Sequence, residues 1–156
     1  MQHEKMNGKH GYGYTRLAVD TVINFIIMYL VMYTMIATLD HFFINLNNVY
    51  MTLMMVAPMT VIMLVSMGSM FGSPRVNLAL IAVSVVVFVA SFVGMRTQAA
   101  VGDAEFLRSM IPHHSGAILM CEQASLSDPE VIELCRGIVQ AQEREINQMK
   151  TILGRL

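Results

Sequence analysis

Between Val19 and Met95 the chain is almost continuously apolar, in three runs: Val19 to Leu39, Val49 to Met70 and Val76 to Met95. Each is long enough to cross a bilayer core as a helix, which takes roughly 20 residues. Asp20 and Asn24 open the first run, where they can reach headgroups. Pro58 lies inside the second and predicts a kink that neighbouring helices tolerate. From Gly102 onward the apolar positions recur with helical period instead. One amphipathic helix is predicted from Asp103 to Leu126, with Pro112 in its first half, and a second from Pro129 to Leu153. Ser127-Asp128-Pro129-Glu130 between them has capping-box spacing, and Pro129 suits a first helical turn. So short a connection makes an antiparallel hairpin. The predicted fold class is all-α: three transmembrane helices followed by an extracytoplasmic helical hairpin. The expected division is a tail at residues 1–16, a transmembrane region at 17–96 and a hairpin domain at 102–156.

Composition agrees with this. Hydrophobic residues reach 55% and charged residues only 13%, and from Ala18 to Met95 the only formal charges are Asp20, Asp40 and Arg75. That asymmetry marks a membrane protein with a small aqueous domain, whose first partner is the lipid bilayer. A net charge of -1 without a basic stripe gives no reason to invoke nucleic acid. No small-residue cleavage site follows the first run, which therefore reads as a retained signal anchor. Lys5, Lys9, Arg16 and Arg75 fall on one side of the membrane and Arg96 and Arg108 on the other. The cation bias predicts a cytoplasmic N-terminus in a bacterial inner membrane and a periplasmic hairpin.

At about 100° per residue, Phe106, Met110, His113, His114, Ala117 and Cys121 share one broad face of the first amphipathic helix. Folding the hairpin about Asp128 sets Cys121 opposite Cys135, His114 opposite Gln142, and Met110 level with Ile146. Glu145 and Met149 then fall within a turn of Met110. Asp40, His41 and Met51 flank the first external loop, on the same side of the membrane as the hairpin. So small a domain buries little by itself, and pairing two hairpins would give a four-helix bundle, where metal sites are built from inward-facing side chains. A homo-oligomer is expected.

Soft and borderline metal donors are dense in Met110 to Cys121, in a chain with five histidines and two cysteines. Methionines are also arranged in stripes: Met51, Met55, Met59, Met63 and Met67 recur every four residues, and Met28, Met32 and Met35 lie on the first run. Methionine packs well in any apolar helix, and that explains the stripe without a metal. The alternative is a thioether surface for Cu(I) or Ag(I), since thioethers select soft monovalent ions. Cys121 and Cys135 admit three readings: a disulfide worth up to roughly 3 kcal/mol by loop entropy, a metal thiolate pair, or inert core. No nucleophile elbow, phosphate-cradling glycine loop or HExxH signature is present, so an enzymatic role is not favoured.

The segment Phe106-Leu107-Arg108-Ser109-Met110-Ile111-Pro112-His113-His114, continued by Ala117, Asp128, Pro129, Glu145, Ile146 and Met149, resembles the bacterial domain-of-unknown-function family three hundred and five. The resemblance implies ferritin-like helical packing, here a half-bundle completed by oligomerisation. Some soluble members of the family are associated with copper binding and tolerance. Carried over by position, this points to Met110, His113, His114, Met120 and Met149, with Glu145 as ligand or supporting partner. Together with His41, Cys121 and Cys135 these are the candidate metal residues. The expected cofactor is copper, Cu(I) rather than Cu(II), with another transition metal as the variant. The expected function is buffering, handover to other copper-handling proteins, or resistance. The rival functions are an oligomeric transporter or channel component for soft cations and a metal-free structural subunit.

Overall fold

A computed structural model describes the backbone of residues 2–156 and the side chains of residues 12–68 and 70–156. Lys5 and Lys9, two of the cations that set the expected orientation, lie outside the described side chains. The described residues form five α-helices and no strand: α1 (Gln2–Val31), α2 (Leu46–Ser66), α3 (Pro74–Thr97), α4 (Asp103–Gln123) and α5 (Pro129–Leu153). Two compact units result, one of Met1–Leu30 with Val49–Ala99, the other of Val31–Asn48 with Ala100–Leu156. Three helices are long and apolar enough to cross a membrane, at Tyr12–Val31, Leu46–Ser66 and Pro74–Thr97. The second unit joins the connection after the first span with the chain after the third.

The first span is displaced from its expected position. It ends at Val31, not Leu39, and of the residues that follow, Tyr33 and Ala37 pack against protein. Thr34 closes the helix end, with its N–H and Oγ1 both donating to the Val31 carbonyl, at 3.1 and 2.8 Å. Tyr33 is buried, its hydroxyl donating to the Phe43 carbonyl at 2.8 Å and its ring 4.2 Å from that of Phe42. Residues 32–45 therefore form a strap that belongs with the hairpin, not with the membrane region. Asp20, expected at the headgroup end of a run, lies inside the span and pairs with Arg16 at 3.8 Å, one turn away.

In the membrane unit α2 runs unbroken through Pro58 and buries Thr52, Val56, Ala57 and Leu64. The buried residues of α3 are small, namely Ser84, Ser91 and Gly94. A Cβ at position 94 would sit 3.1 Å from the Tyr50 ring, so glycine there lets a large aromatic approach the helix. Tyr14 ties α1 to the turn before α3. Its hydroxyl donates to Asn77 Oδ1 at 2.7 Å, and its ring lies 5.3 Å from Phe71. Leu17, Leu64 and Phe71 form a small core there.

The hairpin is more fully specified. Asp128 caps α5, accepting from the N–H groups of Glu130 and Val131 at 2.8 and 3.1 Å, and Pro129 opens the helix. The cap thus falls one residue after the Ser127 expected from the capping-box spacing. Leu107, Ile111, Ile118, Ile146 and Met149 make the core between α4 and α5, with Ala37 and Phe43 of the strap against it. A disulfide joins Cys121 to Cys135 near the turn, with the two Cα atoms 5.3 Å apart.

Candidate metal centre

His114 is the organising residue. It lies on α4 where that helix meets α5, and is 8% exposed. Its Nδ1–H donates to the Met110 carbonyl one turn back at 2.9 Å, and its Nε2 lies 2.7 Å from Glu145 Oε2 on α5. Both partners are acceptors, one a carbonyl and one a carboxylate. Neutral imidazole has a single N–H to give. With that proton committed to the carbonyl, the 2.7 Å contact of Nε2 with the carboxylate is a direct hydrogen bond with a proton between the two atoms. A metal-ligating histidine has the same support, since its second ring N–H almost always goes to a carbonyl, carboxylate or water that fixes the tautomer.

The other candidates fall at different distances from this pair. Met110 packs at the edge of the core, and Met149 is inside it at 9% exposed. Met110 lies one turn before His114 on α4, and Met149 one turn after Glu145 on α5. His113 is exposed, its ring centroid 6.0 Å from that of His114 and inclined by 64°. Met120 is exposed, nearly two turns along α4 from His114. Cys121 and Cys135 are joined to each other, so the disulfide is what the structure holds of the three readings, and in this form neither sulfur is a thiolate ligand. Gln142, expected opposite His114, gives way to Glu145, three positions on along α5, which is the residue that bonds His114.

His41 lies on the strap, where one ring nitrogen meets α4. Its Nδ1 is 2.8 Å from Ser115 Oγ, which also accepts from the Ala37 N–H at 2.7 Å. Ser115 is fully buried and open to no substrate, so the Ser–His contact is a clasp, not a nucleophile and base. Burial pushes the His41 imidazole below its ordinary pKa, the Lys150 ammonium adds to this, and Asp40 opposes it. Asp40 pairs with Lys150, whose hydrogen bond and charge hold its carboxyl below the usual range. Two more ties fix the far end of the strap: Glu105 Oε2 accepts from the Leu46 N–H at 3.1 Å, and Asn47 Nδ2 donates to Ser109 Oγ at 3.1 Å. Gly116 lets the strap come close, since a Cβ there would already touch the Met35 carbonyl at 3.5 Å.

Ser115 and Glu105 escaped the sequence reading. The available signal was a serine and a glycine side by side on an otherwise apolar helix. Among the described residues no group of three or more His, Cys, Asp and Glu side chains is placed to hold a metal ion. What one chain brings together is thus a His–carboxylate pair, with a methionine one helical turn from each partner.

Residues 92–153 match the family model described as Domain of unknown function (DUF305). A relative, "Uncharacterized protein L153" of Acanthamoeba polyphaga mimivirus, is 36% identical over 112 residues, covering 70% of this chain and 72% of its own length. The chain belongs to the DUF305 family. The alignment to the viral relative is longer than the hairpin and its linker, so it takes in part of the membrane region as well. No solved structure matches. The strap, at residues 32–45, precedes the segment matched by the family model.

Proposed function

We propose that this protein is a membrane-anchored metal-binding protein whose hairpin, on the extracytoplasmic side, holds copper for buffering, handover or resistance. The supporting observation is His114, whose Nδ1 is committed to a carbonyl while its Nε2 points at a carboxylate. A metal at Nε2 would need bonds of roughly 2.0–2.2 Å to nitrogen and oxygen, which spreads the pair to about 3.4 Å in tetrahedral geometry. Glu145 has a half-exposed side chain and can swing by that amount. His114 would supply the imidazole, Glu145 a carboxylate or a second hydrogen-bonding partner, and Met110 and Met149 the neighbouring thioethers. Thioether with neutral imidazole suits Cu(I), which tolerates few ligands and carries one charge. The bound ion would do its chemistry by being held and released, and this chain's residues supply the tautomer, the carboxylate and the dry side of the site.

Transport along the methionine stripe draws less support. The residues that α2 buries are Thr52, Val56, Ala57 and Leu64, while Met51, Met55 and Met67 are exposed. A thioether path would have to run between subunits. The test is competition titration of the purified full-length protein with Cu(I) held by a chromogenic chelator, in the wild type and in His114→Ala and Glu145→Gln. The wild type should take up Cu(I), His114→Ala should abolish uptake, and Glu145→Gln should weaken it by roughly tenfold or more. No uptake by the wild type, or full uptake by His114→Ala, rejects the proposal.

A further inference from the structure

We infer that the open side of the hairpin is covered by a second copy of this chain, and that the two copies share one metal site; this rests on the metal-binding reading above. Helix α4 presents three sides. One packs on α5 through Leu107, Ile111 and Ile118. A second is occupied by the strap, through Glu105, Ser109, Ser115 and Gly116. The third carries Phe106, His113 and Met120, which lie within about 40° of one another around the helix at 100° per residue. Phe106 is 49% and Met120 55% exposed. On α5 the strap side is marked by Lys150, and the flank turned away from it holds Leu134, Ile138 and Glu145. Leu134 is 62% exposed. The strap thus covers one side of the hairpin, and the flank holding His113, Met120 and Glu145 is exposed.

Three observations choose a second copy over other occupants. The first is charge. The bare side holds the Glu145 carboxylate and no Lys or Arg, so an anionic headgroup layer would meet a like charge there with nothing to offset it. The second is ligand count. His113 precedes His114 on one helix, about 100° around it, and is exposed on the flank while His114 faces α5. In an isologous pair the same patch faces itself, so His113 of a second copy can approach the Nε2 side of His114. The third is the shape of the unit. Two helices with one covered side and one apolar side are half of a four-helix bundle, in which facing helices build the metal site. A cation between two Glu145 carboxylates is then what allows the two halves to close.

The test uses the full-length chain in detergent micelles. It measures protein mass by light scattering and Cu(I) stoichiometry by chelator competition, in the wild type and in Phe106→Glu, Leu134→Glu and His113→Ala. The first two change exposed residues, and unchanged helicity with an intact Cys121–Cys135 disulfide verifies that the hairpin still folds. The inference predicts a dimer binding one Cu(I) per two chains. Both Glu variants should be monomeric with affinity reduced by at least roughly tenfold, and His113→Ala should stay dimeric with comparably weakened binding. A monomeric wild type, or Glu variants that remain dimeric, overturns the inference. One Cu(I) bound per monomeric chain overturns the shared site and leaves the metal reading standing. A dimer that the Glu variants dissociate but that takes up no Cu(I) rejects the metal reading and the shared site, and keeps the paired face.

Discussion

The two units of this chain are held together by different means. In the membrane unit only 6%, 28% and 17% of the three span windows is buried, and α1, α2 and α3 line an apolar cavity of about 550 Å³. Its polar ties lie toward the helix ends, at Tyr14 with Asn77 and at Tyr50 with the Ala99 carbonyl. The hairpin unit has an apolar core, a disulfide and a strap fastened at several points. Lipid satisfies an apolar helix from any direction, so the spans need little specificity from their own packing. Water does not, and the aqueous unit must specify every contact.

That contrast is testable by cutting each kind of tie. The largest effect is expected in the hairpin core. Ile111→Ala or Ile146→Ala, at residues 0% and 2% exposed, should cost the hairpin about 4 kcal/mol, seen as a fall in its denaturant midpoint with the helicity of the spans retained. Reducing the Cys121–Cys135 disulfide should cost about 3 kcal/mol, as loop closure over 14 residues predicts, and should again leave the spans unaffected. Equal loss of span helicity in either experiment would show that the two units are one cooperative structure.

Next is the strap. Ser115→Ala leaves the part-buried Ala37 N–H without its acceptor and should cost about 1 kcal/mol, read as faster proteolysis within residues 32–45. The strap should also respond to acid. His41 has its pKa lowered by folding, chiefly by burial, so the unfolded chain takes up more protons as the pH falls. Its contribution is complete above the ordinary imidazole range and is lost as the pH drops through the lowered value. Asp40, held low chiefly by its hydrogen bond to Lys150, keeps its contribution to lower pH and loses it last. Protease protection of the strap should therefore decline in two acid steps, and His41→Asn should remove the upper one. The smallest effect belongs to the membrane unit. Met55→Leu with Met59→Leu should change stability by less than about 1.5 kcal/mol if the stripe is packing. A larger loss of stability would show that those thioethers make contacts leucine cannot.

The physical reason for what could be read from sequence follows the same division. Hydrophobic length alone marks a span, and helical period with a short Asp-Pro turn marks a hairpin. Three candidate spans and an α4–α5 pair were therefore legible before any coordinates. Cys121 opposite Cys135 followed from the same register. The strap was not legible, because Met32 to Leu39 is apolar enough to extend a span and only tertiary contacts reveal that Tyr33 and Ala37 bury against protein. Glu145 could be placed within a turn of Met110, but its bond to His114 depends on how far a side chain reaches, and helical period does not specify that. His41 was read as a metal donor on its position beside the external loop. Its clasp on Ser115 required knowing that a buried serine on α4 faces the strap.

The central claim concerns one nitrogen atom. Nitrogen-15 NMR of histidine-labelled full-length protein, recorded before and after addition of Ag(I) as a redox-inert stand-in for Cu(I), reads each imidazole separately. His114 should hold its proton on Nδ1 throughout, and its Nε2 resonance should move to a metal-bound position with one equivalent or less of Ag(I) per chain. A His114 ring whose Nε2 is unaffected by the metal, while other histidines shift, would contradict the account.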